Sequence, residues 1–315
     1  MISVIIPVFR DAMRALDLIH SLLLQELPPE HPLEIVLVDD GSNDGSVQLL
    51  RQCETEQVHV VTLPLNKGRS AARNAGAKLA RGEFLAFVDC DCTPEGPLFL
   101  AAHLRLLRND CVATCGPVLG DGHGFWSQYQ NEASHRRARQ HAQGVSFVGS
   151  TQNFTVRTEA FHRIGGFDAR YSGYGFEDRD LFVRLSRLGA FGWGADAVVT
   201  HLDKLTLRRV LKKMHQAAGA SAGLFMLDHA NEYGELGYAA LDTRLHPWLR
   251  SVGWIRPSDW RTLFLLDKLI TSRWMPYTPA TLFVKLLVAL TYISGSTNPS
   301  GNANPRDYRN QRRSS

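Results

Sequence analysis

Cysteine is scarce in this chain, and the five it has, Cys53, Cys90, Cys92, Cys111 and Cys115, form no C-x-x-C pair. An odd number in 315 residues excludes a disulfide framework and makes a reducing cytosol the expected location. The close thiols of Cys90 and Cys92 are two, short of the four ligands that a structural zinc takes. Long apolar runs are also missing. The longest, 281–293, contains Lys285 and falls short of the ~20 residues of a membrane span, so no transmembrane segment is expected. The opening Met1-Ile2-Ser3-Val4-Ile5-Ile6-Pro7 soon meets Arg10 and Asp11, which suits a strand and not a signal peptide. Neither G-x-G-x-x-G nor G-x-x-x-x-G-K-[ST] occurs, which excludes a dinucleotide Rossmann fingerprint and a P-loop. No internal repeat is visible.

What is present is ordinary globular composition, 44% apolar and 21% charged, which excludes wholesale disorder. Charge is divided unevenly: residues 203–315 carry 16 Lys and Arg against 8 Asp and Glu, so a basic tail follows a mildly acidic front. Up to residue 118, short apolar runs alternate with amphipathic ones, the pattern of a sheet covered by helices. Strands are expected over 3–8, 33–39, 58–63, 83–89 and 111–118. Helical stripes fall at Ala15, Leu18, Ile19, Leu22 and Leu23, and at Ala71, Ala75 and Leu79.

From 119 to 147 periodicity is lost, and the stretch is expected to be a mobile or partner-facing loop with one basic helix over 132–143. A second block follows: a strand over 153–157, Thr158 capping a helix over 159–164, a stop at Gly165-Gly166, a helix over 177–188 and a strand over 197–201. Basic helices, one over 205–226, come next. The Gly/Asn/Pro/Arg/Ser-rich end, 294–315, is expected to fray.

In open α/β sheets ligands sit beyond the C-terminal strand ends. Here those ends are Pro7-Val8-Phe9, then Val38-Asp39-Asp40-Gly41-Ser42-Asn43-Asp44-Gly45-Ser46, then the approach to Asn66-Lys67-Gly68-Arg69-Ser70-Ala71-Ala72-Arg73-Asn74-Ala75-Gly76, and Val88-Asp89-Cys90-Asp91. Together, over 2–91, they resemble glycosyltransferase family 2, whose motifs I-I-P-V-F, V-D-D-G-S-x-D-G-S, N-x-G-x-x-x-A-R-N-x-G and D-x-D occur in this order. The resemblance implies an α/β GT-A fold: a Rossmann-like mixed sheet flanked by helices over 1–202, with a nucleotide-sugar half 1–118 and an acceptor half 148–202. A basic, mainly helical extension occupies 203–315. Asn153-Phe154-Thr155-Val156-Arg157, Ile164-Gly165-Gly166-Phe167-Asp168 and the G-x-E-D-x-D-L stretch Gly175–181 also resemble the acceptor half of family 2 and a galactosyltransferase-like C-terminal module.

Pro7 and Phe9 then line the donor site. Asp39 or Asp40 can accept from a nucleobase N–H or ribose hydroxyl, which suits uridine, while Asp40 and Asp44 could instead cap the turn that follows. Arg73, ahead of Lys67 and Arg69, is the expected diphosphate cation. The extended chain is expected to put Asp89 and Asp91 on opposite sides, Asp89 toward the donor's sugar or ribose. Asp91, by resemblance, is a ligand of Mn²⁺ or Mg²⁺. His201, in an x-x-H-x-x-D-K-like context, is either a second metal ligand or a structural histidine. Asp178 is the expected base for an inverting transfer, with Glu177 as an acceptor or donor-sugar contact and Asp180 as a second acceptor contact. The competing reading makes Glu177 and Asp178 first-turn acids favoured by the helix dipole, and Asp180 a surface acid.

The expected activity is transfer of one sugar from a nucleoside-diphosphate sugar, UDP-linked, to a hydroxyl of a glycan, lipid-linked glycan or secondary metabolite. Processive synthases carry Q-x-x-R-W; here Ile270 stands in the Gln position before Arg273-Trp274. A sugar-nucleotide nucleotidyltransferase would want a basic Gly-rich signature where Arg10-Asp11-Ala12-Met13 stand, and an inactive scaffold would not need the acids. Lys204, Arg208, Arg209, Lys212 and Lys213 form a cationic patch that suits a peripheral membrane contact or a solvated face, with a homodimer or domain interface as the alternative for the tail. No nucleic-acid motif accompanies the charge.

Overall fold

The computed structural model describes residues 1–145, 147–171, 173–254 and 259–298. The strands are β1 (Ile2–Val8), β2 (Leu33–Asp39), β3 (Val58–Thr62), β4 (Phe84–Val88), β5 (Cys92–Pro94), β6 (Cys111–Cys115), β7 (Val118–Gly120), β8 (Asn153–Arg157), β9 (Ala190–Trp193) and β10 (Val199–His201). The helices are α1 (Ala12–Leu23), α2 (Ser46–Arg51), α3 (Arg69–Leu79), α4 (Phe99–Arg108), α5 (Phe125–Ala142), α6 (Thr158–Arg163) and α7 (Glu177–Ser186). They continue with α8 (Leu207–Gln216), α9 (Ala222–Asp228), α10 (Ala230–Gly234), α11 (Trp260–Ile270) and α12 (Tyr277–Thr297). The chain forms two compact units, one from Met1–Gly122, Gln130–Arg170 and Asp178–Lys204, the other from His123–Tyr129, Tyr171–Glu177 and the chain from Leu205 on.

In the first unit the main sheet has the order β3-β2-β1-β4-β8-β6-β9. Strands β1 to β4 are parallel, β8 is antiparallel to both its neighbours, and β9 runs parallel to β6. A small sheet, β5-β10-β7, lies beside it in the fold. Strand β1 is buried along its whole length, as a strand covered on both faces must be. Ile2, Val4, Ile6 and Val8 share one core with Ala15, Leu18, Ile19 and Leu22 of α1 and Leu100, Leu104 and Leu107 of α4. On the other face α3 lies flush against the sheet, because a Cβ on Gly76 would come within 2.6 Å of Ile5 and 2.9 Å of Val38. Next to Ile5, Phe87 begins an aromatic layer through Phe154 (centroids 5.8 Å) to Phe182 (5.1 Å).

The expected strands of the first 90 residues and of the second block, and helices α6 and α7, are found within two residues of their expected ends. Other elements differ. The strand expected over 111–118 breaks at Gly116-Pro117, where a Cβ on Gly116 would fall 2.1 Å from the Ala197 carbonyl oxygen and Pro117 has no N–H; the chain resumes as β7 in the other sheet. The stretch expected to loop over 119–147 is largely helix: α5 starts at Phe125, seven residues before the expected 132. Its apolar face was hidden because Asn131 and Ser134 are spent on the Gly120 and Val118 amides, while Phe125, Trp126 and Tyr129 pack in the second unit's core. Thr158 does not cap α6; its hydroxyl donates to the Gly82 carbonyl at 2.6 Å.

In the second unit the single helix expected over 205–226 is α8, a π-helical turn over Ala217–Ser221, and α9. The apolar run 281–293 belongs to a longer helix, α12, which by length and composition could cross a membrane, but half of it is buried. Its last turns are packed, not frayed: Ser294, Gly295 and Ser296 are buried, and a Cβ on Gly295 would meet the His215 carbonyl at 2.6 Å. Tyr292 of α12 also shares a buried network in which Tyr233 donates to Asp242 and Arg244 pairs with the same carboxylate. The rest of the expected fraying end, 299–315, lies outside the described residues.

Candidate active site

The C-terminal edges of β1 and β2 are tied to each other. The Arg10 amide donates to Ser42 Oγ at 2.8 Å and its guanidinium to Asn43 Oδ1 at 2.7 Å, from a backbone at φ 56°. Pro7 is buried inside β1 opposite Val38, whereas Phe9 stands out at the strand end, 42% exposed, with the Arg10 guanidinium 5.0 Å over its ring. Gly41, at φ 73°, lets this turn touch the segment before α3: a Cβ there would sit 2.4 Å from the Leu65 carbonyl carbon.

The two adjacent acids then separate. Both oxygens of Asp40 are taken, by the Lys67 and Gly68 amides at 2.8 Å each, so Asp40 clamps the loop that enters α3 and does not cap α2. Asp39 accepts the Ser42 amide through Oδ2 at 3.0 Å, and its buried Oδ1 has no hydrogen-bond partner. A buried acceptor left open costs free energy unless something donates to it. Asp44 does what a turn residue does, accepting from the Ser46 amide and hydroxyl.

Arg73 is the centre of the cluster. It is 1% exposed and donates to Asp89 Oδ1 at 2.5 Å, with Arg69 on the other Asp89 oxygen at 3.4 Å. Its Nη1 lies 4.0 Å from Asp178, and its Nε and Nη1 have no hydrogen-bond partner. Asp178 in turn receives the Thr151 hydroxyl at 2.5 Å and the Thr151 amide at 3.2 Å. Its carboxylate is thus oriented by the turn before β8 and not by amides of its own helix. Asn74, one residue past Arg73, is a fastener: its amide donates to the Phe167 carbonyl and accepts the Phe167 amide.

Asp91 turns elsewhere. Alternation along a strand would put residues 89 and 91 on one face; what separates their partners is a turn, closed by the Cys92 amide on the Asp89 carbonyl at 3.0 Å. Asp91 Oδ2 is 3.2 Å from His201 Nε2, and ligand atoms of Asp91, His201 and Asp203 all lie within 4.8 Å of one another. Burial would raise the Asp91 carboxyl, but the hydrogen bond and charge of His201 outweigh it and hold the pKa below the ordinary carboxylate value. Two carboxylates and an imidazole make an oxygen-rich set suited to a hard or borderline divalent cation. The neighbouring thiols of Cys90 and Cys92 are pushed up, by burial first and by Asp91 and Asp89 next, which keeps them protonated and poor as ligands.

Two predicted acceptor contacts are placed differently. Asp180 is not a surface acid: it is 2% exposed and committed to Arg184 at 2.5 Å, one helical turn on. Glu177 opens α7 and is buried. Sequence reasoning missed Thr151, which carries no motif, and passed over Asp203. The latter was findable, since His201 and Asp203 are two apart and share a face where the chain is extended.

Residues 3–165 match the model of glycosyl transferase family 2. The chain belongs to this family. Residues 134–197 match the model described as the N-terminal domain of galactosyltransferase. Among curated proteins the chain is similar to validoxylamine A glucosyltransferase of Streptomyces hygroscopicus subsp. limoneus, 28% identical over 241 residues, 62% of this chain and 51% of that one. It is also similar to pre-mycofactocin glycosyltransferase of Mycobacterium tuberculosis, 30% identical over 239 residues, 71% of this chain and 47% of that one. The chain spans about half, or less, of the length of the curated relatives it matches. A mannosyltransferase from Pyrobaculum calidifontis, PcManGT, solved in complex with GDP-Man and Mn²⁺, has the same fold: TM-score 0.62 at 16% identity, over 96% of this chain and 88% of that one. Family and fold give the chain a GT-A architecture.

Proposed function

We propose that this family 2 enzyme transfers a single sugar, with inversion and with a divalent cation, from a UDP-sugar to a hydroxyl of a glycan, lipid-linked glycan or secondary metabolite. The observation that carries the reading is the buried Arg73, which engages Asp89 of the D-x-D stretch on one side and lies 4.0 Å from Asp178 on the other. One cation thereby ties the donor motif to the carboxylate placed to act as base.

In this reading the open oxygen of Asp39 accepts a donor hydrogen from the nucleoside, and Phe9 offers an aromatic face at the same strand end. Arg69, half exposed at the start of α3, meets the diphosphate, and Asp89, held by Arg73, faces the sugar or ribose. Asp178 takes the proton of the acceptor hydroxyl as that oxygen bonds to the anomeric carbon and the bond to the diphosphate breaks. Thr151 fixes the carboxylate for that step, and Glu177 contacts the acceptor. Asp91, His201 and Asp203 would hold Mn²⁺ or Mg²⁺, which when bound offsets negative charge on the diphosphate. The PcManGT complex, with Mn²⁺ and a sugar nucleotide, is consistent with that set. The free thiols suit a reducing cytosol.

A panel of UDP-, GDP- and dTDP-sugars with Mn²⁺, with the product's anomeric configuration read by NMR, tests the proposal. Turnover of UDP-sugars with inversion is expected. Preference for GDP-sugars would overturn the nucleoside assignment, and retention would overturn the role of Asp178 as base.

A further inference from the structure

Of the six tryptophans in the chain, four lie within 27 residues of the second unit and stand in solvent: Trp248 (71% exposed), Trp254 (79%), Trp260 (59%) and Trp274 (80%). Such a concentration needs an explanation, since exposed large apolar side chains are ordinarily scattered. Helix α11 shows how it is organised. Apart from Thr262 in its first turn, its exposed positions are 260, 261, 264, 265, 268 and 269, two adjacent rows of one helical face, filled by Trp260, Phe264 and Lys268 and by Arg261, Leu265 and Leu269. The opposite face, with Leu263 and Ile270, is buried in one core with Ala280, Val284 and Leu287 of α12. Helix α12 repeats the pattern outward with Leu282, Lys285 and Leu286.

Charge on this surface is mostly of one sign. Arg250, Arg261, Lys268, Arg273 and Lys285 are exposed between the apolar side chains, and three of them lie over aromatic rings: Arg261 on Trp260 at 5.5 Å, Lys268 on Phe264 at 4.7 Å and Arg273 on Trp274 at 4.8 Å. The two acids of the described stretch are occupied. Asp259 caps α11 through the Thr262 amide, and Asp267 accepts from Trp126 and the Leu207 amide.

We infer that this face docks in the plane of an anionic lipid bilayer, with the tryptophans at headgroup depth, the leucines and Phe264 just beneath, and the cations on lipid phosphates. Tryptophan has the right form for such a boundary, an apolar body with one polar N–H. Arginine and lysine interleaved with apolar side chains fit an interfacial surface with anionic headgroups. A second copy of the chain is the poorer occupant, because a two-fold contact through this face would set its cations against their own equivalents. Helix α12 lies in the unit as a core element here: the buried hydroxyl of Tyr292 on Tyr233 and Ser296 on the Thr243 amide belong to a folded core and not to a lipid-facing span.

The test is flotation of the full chain with phosphatidylcholine vesicles, with and without 30% phosphatidylglycerol, at low and high salt (compositions at about these levels suit the surface potentials at issue). Binding is expected on the anionic vesicles, weakened by salt, with a blue shift of tryptophan emission. Arg261→Gln/Lys268→Gln/Arg273→Gln should weaken it roughly 10²-fold, and Trp254→Ser/Trp274→Ser should weaken it and reduce the blue shift, which Trp248 and Trp260 would still report in part. Both variants should keep wild-type melting temperature and donor hydrolysis, which shows that they fold. Absence of vesicle binding by the folded wild-type chain would overturn the inference. So would binding that either variant leaves unchanged, or a concentration-dependent dimer that the tryptophan variant dissolves without any vesicle binding.

Discussion

At the scale of single residues, Asp178 is where two physical roles give opposite outcomes. Both its oxygens are held by Thr151, so Asp178→Asn should preserve shape and donor binding while turnover falls by about 10²- to 10⁴-fold, the range of general-base catalysis. Were it only a helix-terminal acid, the change would cost at most about 1 kcal/mol of dipole interaction and spare turnover. Donor affinity, melting temperature and turnover on one preparation decide between them. His201 offers a second discrimination. With its Nε2 3.2 Å from Asp91, His201→Ala should raise the Mn²⁺ concentration needed for half-maximal activity by tenfold or more, on the order of one lost ligand or its orienting partner; an unchanged metal titration would return it to a structural role.

Between elements, the most consequential buried group outside the site is His103 of α4. Asn153 of β8 donates to the carbonyls of Pro117 and Ala197, which leaves its Oδ1 to accept from His103 Nε2 at 2.8 Å, and Thr114 of β6 meets Nδ1 at 2.8 Å. The imidazole is therefore held neutral, its pKa pushed down to about 4 from an ordinary 6.5, by burial chiefly and against the pull of Asn153. Between those two values the unfolded chain binds the proton and the native one does not, so stability falls as pH drops through the window, by about 3 kcal/mol in all. Denaturant melts from pH 7 to pH 4 should show that slope, and His103→Gln should flatten it; a slope unchanged in the variant would place its origin elsewhere. Elements were legible in the sequence where one periodicity ruled them, as in β1 to β4 and α1. They were not where polar side chains served neighbouring backbone, as Asn131 and Ser134 of α5 do for β7, because hydrogen bonding to an edge strand leaves no apolar stripe.

For the molecule as a whole, the donor and metal should act as one ligand. Whatever binds only the native state stabilises it by RT ln(1 + [L]/Kd), about 2.7 kcal/mol at a hundredfold excess. A UDP-sugar with Mn²⁺ should accordingly raise Tm by roughly 4 °C, and EDTA should remove most of the rise together with transfer. Transfer at full rate in excess EDTA would exclude the metal's part.

The order of motifs along the chain sufficed for the family, the sheet's parallel half and the acids worth interrogating, because strand-end position and spacing are local properties that sequence carries directly. Which acid meets which partner was decided only by packing. Asp39 and Asp40 are neighbours of one type, yet the approach of Lys67 and Gly68 consumes both oxygens of Asp40 and leaves one of Asp39 open. Asp89 and Asp91 part company at a turn that alternation does not foresee, and Thr151, 27 residues from Asp178 in the chain, meets it only once β8 has inserted between β4 and β6. Hydrogen bonds across such separations depend on where whole strands lie, and that is fixed by the cores on either side of the sheet, not by any spacing between the residues that make them.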